Sequence, residues 1–275
     1  MLEFEISTFE IRHQQPTFGL TKDIFINNWE IVVTSKNHLC KTSSDSQVKT
    51  MSNFDPFFRL VSYLPAVFYS LITELIGWII PREWIAKDVS NEIILITGAG
   101  SGLGRNMALE FAKLNASLVL WDINEKGLQE TKTMVDGEHK QISRTSNAGK
   151  RFCLTYRVDV SNRTQVQEEG KKVFEDINAN RPAGEEERYV SVLVNNAGIY
   201  HGLYLQDLKD EQIERIFKIN ILSHFWTVRT FLPNMMKHEK GHIVEIASLA
   251  GYAGLLKQTD YCATKFATGK SLLTT

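Results

Sequence analysis

Cysteine is scarce in this chain. Cys40, Cys153 and Cys262 are the only three among 275 residues, odd in number and far apart. That excludes a disulfide framework, shows no metal-ligand spacing, and fits a reducing compartment. An excess of either charge is lacking too. A formal net charge of −1 leaves no basic footprint, so no nucleic-acid partner is expected. The basic start and apolar run of a secretory signal are missing; Glu3, Glu5 and Glu10 stand there instead, and a cleaved leader is not expected. Internal repeats are absent. What is present is ordinary globular usage, 43% apolar and 23% charged, at a length that suits one large domain or two small ones.

Composition divides the chain into three zones. Residues 1–55 are mixed and polar, with short alternating pieces such as "IFINNWEIVVT" and no motif. Disorder or a loose strand pair is the expectation there. Residues 56–81 hold the one long apolar run, "LVSYLPAVFYSLITELIGWII", with Glu74 as its single charge. As a helix it would rise about 30 Å, the thickness of one bilayer core. Tyr63, Tyr69 and Trp78 suit the interfaces. The segment is expected to attach the chain to a membrane, either crossing it or lying in one leaflet, since Pro65 can bend it. The alternative is a buried core helix.

Residues 82–275 alternate short apolar runs with amphipathic stretches. "EIILITG", "SLVLWDIN", "RFCLTYRVDV", "YVSVLVNNAG" and "GHIVEIAS" read as five strands. "GRNMALEFAKLN" reads as a helix with Met107, Phe111 and Leu114 on one side, a polar helix follows near 125–135, and "EQIERIFKINILSHFWTVRTFLPNMM" is one long helix. "DGEHKQISRTSNAGKR" reads as a solvated loop. The alternation predicts right-handed crossovers and an α/β, doubly wound parallel sheet of the Rossmann type.

Two sites fall at the carboxyl ends of those strands. In "ITGAGSGLGR", Gly98, Gly102 and Gly104 can turn the backbone tightly against a pyrophosphate, with a helix N-terminus behind it. Asp122 ends the second strand 18 residues after Gly104, where a carboxylate accepts both adenosine ribose hydroxyls and repels a 2′-phosphate. NAD is therefore favoured over NADP. Asp159 and Val160 end the third strand, near the expected adenine, and Asn195 to Gly198 end the fourth. The second site is chemical. Tyr261 and Lys265 are four apart and share a helix face. An ammonium beside the phenol, with an oxidised nicotinamide ring, would bring it toward working range. Ser248, 13 residues before Tyr261, can steady a substrate oxygen, and Asn220 can hold a water that links the lysine to solvent.

In this order and spacing, "TGAGSGLG", "DV", "NNAG", Asn220, Ser248 and "YCATK" resemble the short-chain dehydrogenase/reductase family, from about Glu92 to Phe266. More narrowly, "LVLWDIN", "SVLVNNAG", "HFWTVRTFLPNMM" and "GHIVEIAS" are similar to its membrane-bound retinol and 17-beta-hydroxysteroid dehydrogenase branch. The resemblance implies a catalytic set of Asn220, Ser248, Tyr261 and Lys265. It implies cofactor contacts at Thr97, Gly98, Ser101, Gly102, Leu103, Gly104, Asp122, Asp159, Val160, Asn196, Ala197, Gly198, Tyr261 and Lys265, and no metal. It also implies a lipophilic alcohol or ketone as substrate, a homodimer if the C-terminal helix is complete, and attachment to the endoplasmic reticulum membrane or to lipid droplets. The pattern of that family runs on past the Tyr–Lys helix to a sixth strand and a substrate-covering helix pair, which have no counterpart here. A sheet ending at its fifth strand with an exposed edge is therefore expected, and a non-catalytic truncated form that binds membrane, cofactor or a full-length partner is the second reading.

Overall fold

The computed structural model describes residues 6–12, 87–145, 151–179, 181, 184 and 186–271. All but Lys87 belong to one of two units of the chain, residues 1–14 with 88–275; the other unit is residues 15–87. The apolar segment 56–81 and the alternating piece at 24–34 lie outside the described residues. Among the described residues no helix is long and apolar enough to cross a membrane.

The sheet has six strands, β1 (Ile6–Arg12), β2 (Ile93–Thr97), β3 (Ser117–Asp122), β4 (Cys153–Arg157), β5 (Val192–Asn195) and β6 (Lys240–Ile246), in the order β1-β6-β5-β2-β3-β4. The pairs β6–β5, β5–β2, β2–β3 and β3–β4 are parallel. β2 is buried at all five positions, "IILIT", as a central parallel strand covered on both faces must be. Strand order reverses between β2 and β5, and the loops leaving their carboxyl ends open a crevice there.

Among the described residues six α-helices accompany the sheet: α1 (Gly102–Lys113), α2 (Glu125–Thr145), α3 (Arg163–Asn178), α4 (Asp210–Phe217), α5 (Ser223–Lys237) and α6 (Thr259–Ser271). α3 and α5 pack on one face, where Val166, Val173, Phe231 and Met235 meet Leu95, Trp121 and Ile243. α1 and α2 pack on the other, where Ala108, Ala112, Leu128 and Val135 meet Ile94, Ile96 and Leu118. The Trp121 and Phe231 rings lie 5.7 Å apart and pin α5 to β3.

Four details depart from the sequence pattern. The buried stripe of α1 is Gly104, Ala108 and Ala112 rather than Met107, Phe111 and Leu114; Leu114 is exposed. Small residues four apart let the helix come close to the sheet, which the turn before it requires. α2 runs on through Thr145, over the stretch expected as a loop, because Leu128, Thr131, Val135 and His139 keep one face buried and the His139 ring bonds Ala116 O at 2.9 Å. The long helix is not uniform: a π-helical turn, Lys218–Leu222, separates α4 from α5 and places Asn220 at its centre. Finally, the β6 edge is not exposed. β1 pairs with it antiparallel over its whole length, Ile6 opposite Ile246 and Arg12 opposite Lys240. A strand from the N-terminal zone, where disorder or a loose strand pair is expected, thus closes the edge.

Candidate active site

The glycine loop between β2 and α1 is shaped for an anion. Gly98 and Gly102 take φ of +68 and +55, the region glycine alone occupies freely. A Cβ on Gly104 would stand 2.2 Å from Gly98 O and 2.6 Å from Asn196 Nδ2. Ser101, the N-cap of α1, makes no side-chain cap, and the first turn carries no acidic residue. The N–H groups of that turn are left for a ligand with negative charge. Leu103 and Ser101 are exposed at this mouth. These features fit a dinucleotide pyrophosphate.

Neighbouring residues brace the loop. Asp122 Oδ2 accepts the Gly100 N–H at 2.8 Å and Oδ1 accepts that of Asn124 at 2.8 Å. A Cβ on Gly100 would fall 2.9 Å from this carboxylate, so the extra glycine lets Asp122 lie against the loop. Thr97 Oγ1 accepts the N–H groups of Asn196 and Ala197, both at 3.0 Å. Asn196 Nδ2 donates back to Thr97 O at 2.9 Å and Gly98 O at 3.2 Å. These bonds tie the β2 and β5 loops together, and Gly198 lies next to Asn220, whose Oδ1 would be 3.4 Å from an added Cβ. Asp159 is engaged with its own turn, accepting from Ser161 N at 2.9 Å and Ser161 Oγ at 2.6 Å, and Val160 is buried beside it. The sequence reading passed over Arg105. Its guanidinium donates to Gly100 O at 2.5 Å, Thr131 Oγ1 at 3.0 Å and Glu130 at 2.9 Å, tying the loop to α2.

Ser248, Tyr261, Lys265 and Asn220 come together from three elements. Ser248 caps the turn after β6, accepting the Ala250 N–H at 3.2 Å. Its hydroxyl also stands near the Tyr261 phenol. Lys265 is 4% exposed; its Nζ donates to Ile246 O at 2.6 Å and sits 5.7 Å from the Tyr261 ring centroid. Burial pushes the ammonium down to about 8, countered in part by the buried Glu245 carboxylate. Glu245 lies 3.3 Å from His224 Nδ1. Burial raises the Tyr261 phenol above its ordinary value, and the nearby Ser248 hydroxyl opposes that. In the protein alone burial is the larger influence on the phenol.

Asn220 is buried at the centre of the π turn. Its Oδ1 accepts the Ile199 N–H at 2.9 Å, and its Nδ2 donates to Ile199 O at 2.9 Å and Thr264 Oγ1 at 3.1 Å. It stitches the β5 loop to α6 with direct bonds. Three exposed apolar residues, Tyr200, Leu249 and Tyr252, flank Ser248 and Tyr261 in sequence or space. Among the described residues no cluster of His, Cys, Asp and Glu could hold a metal ion.

A profile of the family described as short chain dehydrogenase matches residues 92–272. Estradiol 17-beta-dehydrogenase 11 of Macaca fascicularis is 41% identical over 75% of this chain and 61% of its own length. Epidermal retinol dehydrogenase 2 of Homo sapiens is 39% identical over 76% of this chain and 60% of its own. The chain thus spans about three fifths of the length of the curated relatives it matches. A short chain dehydrogenase/reductase from Burkholderia phymatum, solved in complex with NAD, shares the fold with TM-score 0.57 at 30% identity, covering 68% of this chain and 59% of that one.

Proposed function

The chain belongs to the short-chain dehydrogenase family, and on that footing we propose that it is an NAD-dependent oxidoreductase of lipophilic alcohols, retinol-like or steroid-like, with Tyr261 as acid and base. The observation that carries the reading is that the buried Lys265 ammonium stands 5.7 Å from the Tyr261 ring centroid, with Ser248 at the turn after β6 close enough to influence the phenol. Bound NAD would supply the acceptor for the carbinol hydrogen. The chain's own residues do the rest. Ser248 donates to the substrate oxygen and orients it. Tyr261 takes the hydroxyl proton as the carbonyl forms and returns it in the reverse direction. The Lys265 charge favours the phenolate, and its burial makes that charge count for more.

Support for NAD comes from Asp122, whose carboxylate stands at the end of β3 against the glycine loop. Support for an apolar substrate comes from the names of the relatives and from the exposed Tyr200, Leu249 and Tyr252. Attachment of segment 56–81 to the endoplasmic reticulum membrane or lipid droplets, where such a substrate partitions, belongs to the same proposal, as does a homodimer. The test is NADH formation by the full chain in detergent micelles with retinol or estradiol. Turnover should fall by at least about a thousandfold in Tyr261→Phe. Turnover that survives this change, or none with either alcohol and either cofactor, overturns the reading.

A further inference from the structure

Beside the proton-transfer residues stands a pair that the chemistry above does not use. His201 lies in the loop after β5, and Asp260 directly precedes Tyr261 in α6. His201 Nδ1 and Asp260 Oδ2 are 2.8 Å apart, and the two side chains are 14% and 2% exposed. The other oxygen, Asp260 Oδ1, accepts the Tyr261 N–H at 2.8 Å. A carboxylate only accepts, so the ring nitrogen facing it carries hydrogen and donates. One buried aspartate thus grips both the backbone of Tyr261 and the β5 loop.

The residue between the gripped points is Tyr200. On one side Asn220 holds both backbone groups of Ile199. On the other, Asp260 holds the His201 ring. The Tyr200 side chain is 64% exposed, and its ring meets that of Tyr261 edge-on, with centroids 6.1 Å apart at 65°. Gly202 makes space for it: a Cβ there would stand 3.2 Å from the Tyr200 ring, and the residue takes φ +70. Neighbours held on both sides, one by its backbone and one by its ring, a side chain left open to solvent and a glycine beside it describe a surface for an incoming molecule. Its distance from Tyr261 puts that molecule against the reactive phenol.

We propose that His201 and Asp260 form a latch that positions Tyr200 as an aromatic wall of the substrate site, holding a flat apolar alcohol against Tyr261. His201 and Asp260 are positioning residues, and Tyr200 is the specificity residue they act through. The substrate half of this statement rests on the oxidoreductase reading above; the latch half does not.

The experiment uses the full chain in detergent with tyrosine labelled with ¹³C at Cζ, the Tyr200 and Tyr261 resonances being assigned by Tyr200→Phe and Tyr261→Phe. His201→Ala and Asp260→Asn should each shift both resonances, and the double variant should add nothing to either single one. His201→Asn, whose amide nitrogen can stand near the site of Nδ1, should restore them. With turnover, His201→Ala and Tyr200→Ala should raise KM for retinol about tenfold while kcat changes less than about twofold. A thermal melt checks folding, and Asp260→Asn, which keeps the side-chain size, carries the test if an alanine variant unfolds. Additive shifts, an unmoved Tyr200 resonance, or a loss confined to kcat overturns the latch. A wild-type chain that turns over no alcohol overturns the oxidoreductase reading and the substrate wall with it, while the resonances still decide the latch.

Discussion

Lys265 donates from Nζ to the carbonyl oxygen of Ile246 at 2.6 Å, with only 4% of the residue open to solvent. One carbonyl and a nearby carboxylate are poor replacements for a hydration shell, and burial takes the ammonium from 10.5 down to about 8. Between those two pH values the unfolded chain binds more protons than the folded one, so stability rises with pH. Below about pH 8 both states are charged and the cost is complete, up to about 3 kcal/mol. Lys265→Met removes that cost and leaves the Ile246 carbonyl without its donor, which returns about 1 kcal/mol. The variant should melt higher than wild type at pH 6.5, lose turnover, and show a smaller advantage at pH 9.5. Equal melting points at pH 6.5, or a gap that widens with pH, would contradict this.

Gly104 and Gly102 stand two residues apart and should respond differently to alanine. At Gly104 the added methyl meets a backbone carbonyl at 2.2 Å, which cannot swing aside as a side-chain tip can. The start of α1 must then retreat from the β2 loop, and NADH affinity should fall at least about tenfold, or ~1.4 kcal/mol. At Gly102 nothing lies within 4 Å, and only the φ of +55 resists, at about 1 kcal/mol of stability. Binding followed by NADH fluorescence separates the two; equal losses would show that space is not what selects glycine at residue 104.

Much of this arrangement is legible in the chain itself because it depends on local pattern. The buried run of β2, the glycine spacing and the pairing of Tyr261 with Lys265 on one helix face each follow from residues close in sequence. Features set by distant partners are not legible. His201 and Asp260 are 59 residues apart, and neither carries a pattern of its own. The π turn at Asn220 changes hydrogen-bond register without changing hydrophobic period. The full length of α2 is hidden in the sequence because its buried face passes through Thr131 and His139, polar residues whose burial depends on partners in other elements, Ala99 and Ala116. β1 is short and mixed in composition, and what makes it a strand is the open edge of β6, more than 200 residues away.

Asp122 should govern cofactor choice at some expense to the loop. Both its oxygens accept backbone N–H groups, at 2.8 Å each, so the carboxylate is fixed in place before any ribose arrives. Asp122→Ala removes the charge that repels a 2′-phosphate and also releases Gly100. NADH affinity should fall several-fold while NADPH affinity holds or improves, so their ratio moves about tenfold or more toward NADPH. Parallel loss of both nucleotides would mean that the residue acts only as a loop brace.

The pairing of β1 with β6 makes a residue-specific prediction. His242 donates its N–H to Ser191 O at 2.8 Å, on the β5 side. Donors alternate along a strand, so Val244 and Ile246 also face β5, while Ile243 and Glu245 face the register partners Phe9 and Ser7 in β1. Removing residues 1–14 should therefore speed hydrogen exchange at the amides of Ile243 and Glu245 by at least about tenfold and leave His242 and Val244 protected. The freed edge should also promote association, read by light scattering, because a row of unpaired backbone groups is a template for another strand. A synthetic peptide of residues 1–14 added back should slow both effects. Equal exchange at all four amides, before and after the deletion, would show that β1 does not hold this edge in solution.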